Sequence, residues 1–230
     1  MIRAIFFDVR SLFYGPQGAE LLTEILRAEG IGVEQAEVED GLLRLPAELK
    51  QARTQIRTEE QENDYHRAMI PELLRNVGVP FPTDALLLRI LEAVHQYSAW
   101  WSLYPETLPV LEELKRRGFT LGVVANWEPS LRRFLAEFEV EGYFGPVLSS
   151  MEAGVAKPDP ILFHRAVKEA GVRSAEVLHA GPSISEDVAG ALSAGLTPVW
   201  INRTGISTGH EVLTIEDLRG LLMLAQKAGE

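Results

Sequence analysis

The chain has 230 residues, 46% of them hydrophobic and 24% charged, enough for one large core or a core with a smaller insertion. A formal net charge of -11 argues against a nucleic-acid backbone or an anionic membrane as partner, and the lack of any cysteine excludes disulfides, thiolate catalysis and cysteine-ligated clusters. No apolar stretch approaches a membrane span and the start lacks a signal peptide's basic region and cleavage site, so a cytoplasmic location is expected.

The run Ile2-Arg3-Ala4-Ile5-Phe6-Phe7 reads as a buried parallel strand. It ends on Asp8. In open α/β sheets ligands bind in the crevice outside the strand C-termini, so Asp8 is a candidate nucleophile; the plainer reading is a turn-forming or helix-capping Asp. From Gly15 to Trp101 the apolar spacing is helical throughout. Leu21, Leu22, Ile25 and Leu26 mark one helix, stopped by Gly30. A second runs from Glu34 to about Leu45 and ends at Pro46, and a third covers Glu59 to Asn76 with Pro71 as a kink or break. Leu86, Leu87, Ile90, Leu91 and Val94 mark a fourth. The acidic run Glu59 to Asp64 reads as a solvated helix face, and Trp100 and Trp101 as packing at a domain junction.

From Leu103 the pattern changes. A helix with Leu108, Leu111 and Leu114 stops at Gly118, and Phe119 to Ala125 reads as a strand. Then follow a helix marked by Leu131 to Phe138, a strand Pro146 to Ser149, a helix Pro160 to Ala170 and a strand Glu176 to Ala180. A helix Ser185 to Ala194, a strand Thr197 to Ile201 and a closing helix Ile215 to Lys227 complete the chain. This alternation predicts a Rossmann-like, doubly wound parallel sheet built from residues 1–14 and 102–230. An all-helical domain, residues 15–101, is inserted after the first strand, where it can exclude water and select substrate.

Four segments in this order resemble the haloacid dehalogenase-like (HAD) superfamily, in particular its hydrolases with a helical cap after the first strand. They are FFDVRSLF at 6–13, LGVVAN at 121–126, SSMEAGVAKPDPILF at 149–163 and HAGPSISEDVAGALSAGL at 179–196. The resemblance implies that Asp8 is the nucleophile, Lys157 the cation beside it and Asp187 the last carboxylate of the acidic motif. Asn126 keeps the residue after the second motif. The departures are Arg10 where the family has its acid–base Asp, Ser11-Leu12 for Gly-Thr, Ala125 for the phosphate-holding hydroxyl, and Pro182 for the first acidic-motif Asp.

By sign counting, Asp8 and Asp187 meet Arg10 and Lys157, and no metal is required for balance. Arg10 is expected to pair with Asp8 or Asp187; the alternative is that it points to solvent. No cofactor is expected, with weak magnesium binding at Asp8 and Asp187 as the alternative. Arg cannot act as a general acid or base, which costs about 10²–10⁴ in rate. The expected function is a HAD hydrolase-like protein with a degenerate phosphatase site and little or no magnesium-dependent activity, binding a small anion or phosphate through Arg10, Asn126 and Lys157. The alternatives are an active hydrolase with Asp8 as nucleophile, on activated phosphates or as a metal-free dehalogenase, and a protein-interaction module. His66, His95, His164, His179 and His210 show no ligand spacing, and His179 is expected to pack rather than act as a base. Glu186 is a further oxygen that could reach the site, and Arg53 and Arg57 read equally as anion contacts or as surface residues.

Overall fold

The computed structural model describes residues 1–205 and 211–227, so His210 lies outside the described residues. In chain order the elements begin with β1 (Ala4–Phe7), α1 (Val9–Leu12) and β2 (Phe13–Tyr14). Five helices follow, α2 (Gly18–Ala28), α3 (Gln35–Leu43), α4 (Ala47–Thr54), α5 (Glu59–Asn76) and α6 (Asp84–His95). Then come β3 (Ser102–Leu103), α7 (Thr107–Arg116), β4 (Thr120–Ala125), α8 (Leu131–Glu137), β5 (Val147–Ser149), α9 (Ser150–Ala153) and α10 (Pro160–Ala170). The chain closes with β6 (Val177–Gly181), α11 (Ala189–Ser193), β7 (Thr197–Ile201), β8 (Leu213–Ile215) and α12 (Arg219–Lys227).

The chain divides into two compact units, Met1–Tyr14 with Leu103–Glu230, and Gly15–Ser102. The first is an α/β unit around a six-stranded sheet of order β5-β4-β1-β6-β7-β8. Every pairing in it is parallel, with Phe7 in register with Val123 on one side and Ala180 on the other. Chain order runs outward from β1 in both directions, so the C-terminal end of β1 is the topological switch point where such sheets bind ligands. All four residues of β1 are buried, as a strand covered on both faces requires. Ala4 and Phe6 pack with Leu162, Phe163 and Ala166 of α10, while Phe7 meets Phe144 edge-on with ring centroids 6.3 Å apart. β2 and β3 form a separate two-stranded sheet.

The second unit is all-helical. Leu22, Ile25 and Leu26 of α2, Val38 of α3, Ile70, Leu73 and Leu74 of α5 and Ile90 of α6 form its core. Thr58 and Thr83 cap α5 and α6, each hydroxyl accepting a backbone N–H of the first turn. Trp100 packs on this core, and Trp101 lies against Gly15 so closely that a Cβ there would sit 2.7 Å from the indole.

Several expectations are corrected. α5 has the expected bounds, Glu59–Asn76, and of the kink or break expected at Pro71 the break is absent. Pro46 ends one helix but also opens α4, which buries no residue and so carries no apolar stripe to read. The helix expected from Ser185 begins as a π-helical turn, Ile184–Val188. Ile215 belongs to β8, opposite Ile201, and the closing helix starts only at Arg219. Glu62 is buried rather than part of a solvated face. Among the described residues no helix is long and apolar enough to cross a membrane.

Candidate active site

Asp8 follows β1 directly and caps α1. Its Oδ1 accepts the backbone N–H of Arg10 at 2.8 Å, and its own N–H donates to the Ala180 carbonyl at 3.0 Å. The capping reading of Asp8 holds, and the cap fixes the carboxylate at the sheet's switch point. Oδ2 accepts from Lys157 Nζ at 2.7 Å. The same ammonium donates to Asp187 Oδ1 at 2.6 Å, so one lysine bridges the two carboxylates. The Lys157 side chain has no exposure, Asp187 1% and Asp8 12%, which leaves Asp8 the member of the group that a ligand can reach.

Each member is positioned by backbone. Asn126 follows β4 and pairs with Lys157 at two points: its Oδ1 accepts the Lys157 N–H at 2.7 Å and its Nδ2 donates to the Lys157 carbonyl at 3.1 Å. Both ends of this amide are thus spent on placing the lysine, a role different from the anion contact expected of it. Asp187 hangs from the π-helical turn, its Oδ2 accepting the Ser183 N–H at 3.0 Å. Gly181, the last residue of β6, allows the approach, because a Cβ there would lie 2.1 Å from Asp187 Cγ. Ser11 ties α1 to β6 through its hydroxyl, which donates to the Ala180 carbonyl at 2.9 Å.

His179 was expected to pack, and it does: it is buried edge-on against Phe163, with centroids 4.9 Å apart. It also has a role that the sequence did not reveal. Its Nε2 lies 3.0 Å from Asp187 Oδ1. Burial lowers its pKa, outweighing the pull of Asp187 in the other direction, so the ring is neutral. Because a carboxylate only accepts, the hydrogen-bond network assigns the proton to Nε2, and His179 is a positioning residue for Asp187 rather than a base.

The electrostatics follow from this geometry. Burial opposes ionisation of Asp187, but the Lys157 ammonium and the His179 hydrogen bond outweigh it and hold the carboxyl well below the usual carboxylate range. Burial likewise opposes the charge on Lys157, and the two carboxylates more than compensate, raising its pKa. The buried group therefore carries two negative charges and one positive.

The expected second positive charge is not there. α1 buries Val9, Ser11 and Leu12 and turns position 10 outward, so the Arg10 side chain is exposed. Among the described residues it forms no ion pair with Asp8 or Asp187; only its backbone reaches the carboxylate. Lys157 bridges both carboxylates, and the second positive charge that sign counting assigned to Arg10 is not supplied by that side chain. Glu186 is exposed, Arg53 is exposed, and the Arg57 guanidinium donates to the Thr54 and Ile56 carbonyls.

Magnesium takes octahedral oxygen ligands, usually with one or two carboxylates. The residues present fit it poorly. All four oxygens of Asp8 and Asp187 already accept from protein donors. Pro182 offers only a carbonyl, which accepts the Trp200 indole N–H at 2.9 Å. His66 and His95, by contrast, which showed no ligand spacing in the sequence, come together with Glu62 in the helical unit.

The family model for haloacid dehalogenase-like hydrolases matches residues 2–195. A glyceraldehyde 3-phosphate phosphatase from Methanopyrus kandleri is 30% identical over 213 residues, which span 88% of this chain and 85% of that protein. A solved 2-haloacid dehalogenase from Pseudomonas syringae pv. Tomato superposes with a TM-score of 0.74 over 99% of both chains at 24% identity, a likeness of fold. A HAD phosphatase from Thermococcus onnurineus gives a TM-score of 0.63 at 25% identity, covering 97% of this chain and 98% of that one.

Proposed function

Because the chain belongs to the haloacid dehalogenase-like hydrolase family, we propose that it is a hydrolase-like protein that takes a small anion at Asp8, Lys157 and Arg10 and has little or no magnesium-dependent phosphohydrolase activity. One observation carries the reading: Lys157 Nζ lies 2.7 Å from Asp8 and 2.6 Å from Asp187, so the protein's own ammonium competes with a magnesium ion for both carboxylates. Arg10, exposed two residues after Asp8, adds a guanidinium suited to phosphate or carboxylate but unable to shuttle protons. Asp187 is held ionised and His179 neutral with its Nε2 proton engaged, so neither supplies the missing general acid.

The test pairs turnover with binding. Acetyl phosphate and para-nitrophenyl phosphate are incubated with and without magnesium, beside Asp8→Asn. The expected result is no metal-stimulated turnover, together with phosphate binding in calorimetry that weakens in Arg10→Ala. Magnesium-dependent turnover that disappears in Asp8→Asn would overturn the proposal.

A second reading is favoured by the placement of Asp8 at the end of β1 with Lys157 on one oxygen and a backbone N–H on the other. That arrangement suits a carboxylate nucleophile acting on carbon without metal. Asp8 would displace halide from a 2-haloacid to form an ester, and water would then release the hydroxy acid. Halide release in the absence of metal, with the ester on Asp8 visible by mass spectrometry, identifies this case; no adduct and no halide excludes it.

A further inference from the structure

Among the described residues one group of metal-ligating side chains does not include Asp8 or its partners: Glu62, His66 and His95, all in the helical unit. Glu62 and His66 are four residues apart on α5, so their side chains rise on one face one turn apart. His95 is the last residue of α6. His66 Nδ1 and His95 Nε2 are 3.2 Å apart, and one ligand atom from each of the three residues lies within 4.8 Å of the others.

These distances suit a tetrahedral ion. With Zn–N bonds of about 2.0–2.1 Å, two nitrogens on one zinc are roughly 3.3–3.4 Å apart, close to the separation already present between the rings. We propose that Glu62, His66 and His95 bind a divalent transition ion of the zinc class. Two imidazoles and a carboxylate are a three-ligand set that leaves a fourth position for water. Imidazole favours zinc, nickel and copper over magnesium or calcium, so the ion differs in class from the magnesium weighed for Asp8. Glu62 is 1% and His66 5% exposed, so attraction between the carboxylate and the ion is little screened. His95 is half-buried, which gives the ion a way in.

At 3.2 Å, one of the two facing nitrogens carries a proton directed at the other. Binding requires lone pairs on both. That proton moves to the other nitrogen of its own ring through solvent, leaving His66 protonated on Nε2 and His95 on Nδ1, with no net change in proton count on the rings.

The test uses the full chain, stripped with a chelator and titrated with Co²⁺ as a spectroscopic probe. One equivalent per chain is expected, with the intense visible bands of a tetrahedral site. His66→Gln and His95→Gln should each weaken binding at least about a hundredfold, beyond what changes around a metal's ligands usually cost. Asp8→Asn should leave binding unchanged. X-ray absorption on the zinc-loaded wild-type protein should count two imidazoles and oxygen, a readout that stands even if the histidine variants fail to fold. Substoichiometric uptake by the folded wild-type chain, an oxygen-only shell, or binding lost in Asp8→Asn but retained in His66→Gln would each overturn the proposal.

Discussion

Replacing Lys157 by Met keeps the length of the side chain and removes the ammonium that bridges Asp8 and Asp187. Both carboxylate oxygens lie on that one nitrogen, at 2.7 and 2.6 Å, so they are at most about 5 Å apart. Two like charges at that distance repel by roughly 3 kcal/mol at an effective dielectric of about 20. Removing one partner of a buried ion pair costs about 3–5 kcal/mol, because the remaining charge stays desolvated. Lys157→Met should therefore lose about 4 kcal/mol at pH 7, read from urea unfolding followed by tryptophan fluorescence. Asp187 has a lowered pKa in the wild-type protein, so its contribution is complete above the unfolded value of about 3.9 and is lost only as the pH falls through the folded value. Between pH 7 and 5 Asp187 stays charged in the wild-type protein, while in the variant the buried Asp187 without its lysine takes up a proton. The gap should thus narrow on acidification. Adding Asp187→Asn to Lys157→Met should recover about half the loss, since a single carboxylate remains. A gap below about 1 kcal/mol at pH 7, or strictly additive effects in the double variant, would refute the reasoning.

Gly181→Ala should destabilise by about 1–3 kcal/mol and displace Asp187, because the new methyl meets a carboxylate held by three donors; unfolding and a crystal structure of the variant check it. Asn126→Ala unpairs the Lys157 N–H and carbonyl, and should cost about 2–3 kcal/mol and weaken phosphate binding together. Unchanged stability would show that water replaces the amide without penalty. His179 has a pKa lowered by burial, so below about 6.5 the unfolded chain binds a proton that the folded one does not. Wild-type stability should accordingly fall by about 1.4 kcal/mol per pH unit from there towards the folded pKa, relative to His179→Gln; parallel pH profiles of the two proteins would contradict this.

Much of the site was legible because the chemistry lies at strand ends. Asp8 closes an apolar run and Asn126 another, and Lys157 and Asp187 fall in segments whose residues are recognisable by type and order. Arg10 shows where that reading stops. A sign count gives the charge of a residue but not its direction, and the direction is set by a one-turn helix that buries Val9, Ser11 and Leu12. Elements without an apolar signature were missed for a related reason: α4 buries nothing, and in β8 Ile215 is the one buried residue. Within the acidic run, only the α5 helix face distinguishes buried Glu62 from exposed Glu60 and Asp64. The spacing of Glu62 and His66 was a usable signal for a shared face. His95, 29 residues beyond His66, joins them only through the packing of α5 against α6.

The Asp8–Lys157–Asp187 group has a structural reason to exist that is independent of catalysis. Lys157 satisfies both carboxylates, and withdrawing it leaves two negative charges without their shared partner. The lysine is therefore what the fold requires once the two carboxylates are in place, and its presence does not by itself require turnover. Arg10 stands apart: it is exposed, makes no ion pair among the described residues, and has no packing role on the buried side of α1. Stability gives no reason for a guanidinium at that position, whereas capture of an anion beside Asp8 does. Arg10→Ala therefore separates binding from folding in a way that no change at Lys157 or Asp187 can, because it would remove the proposed anion contact and leave the buried ion pairs intact.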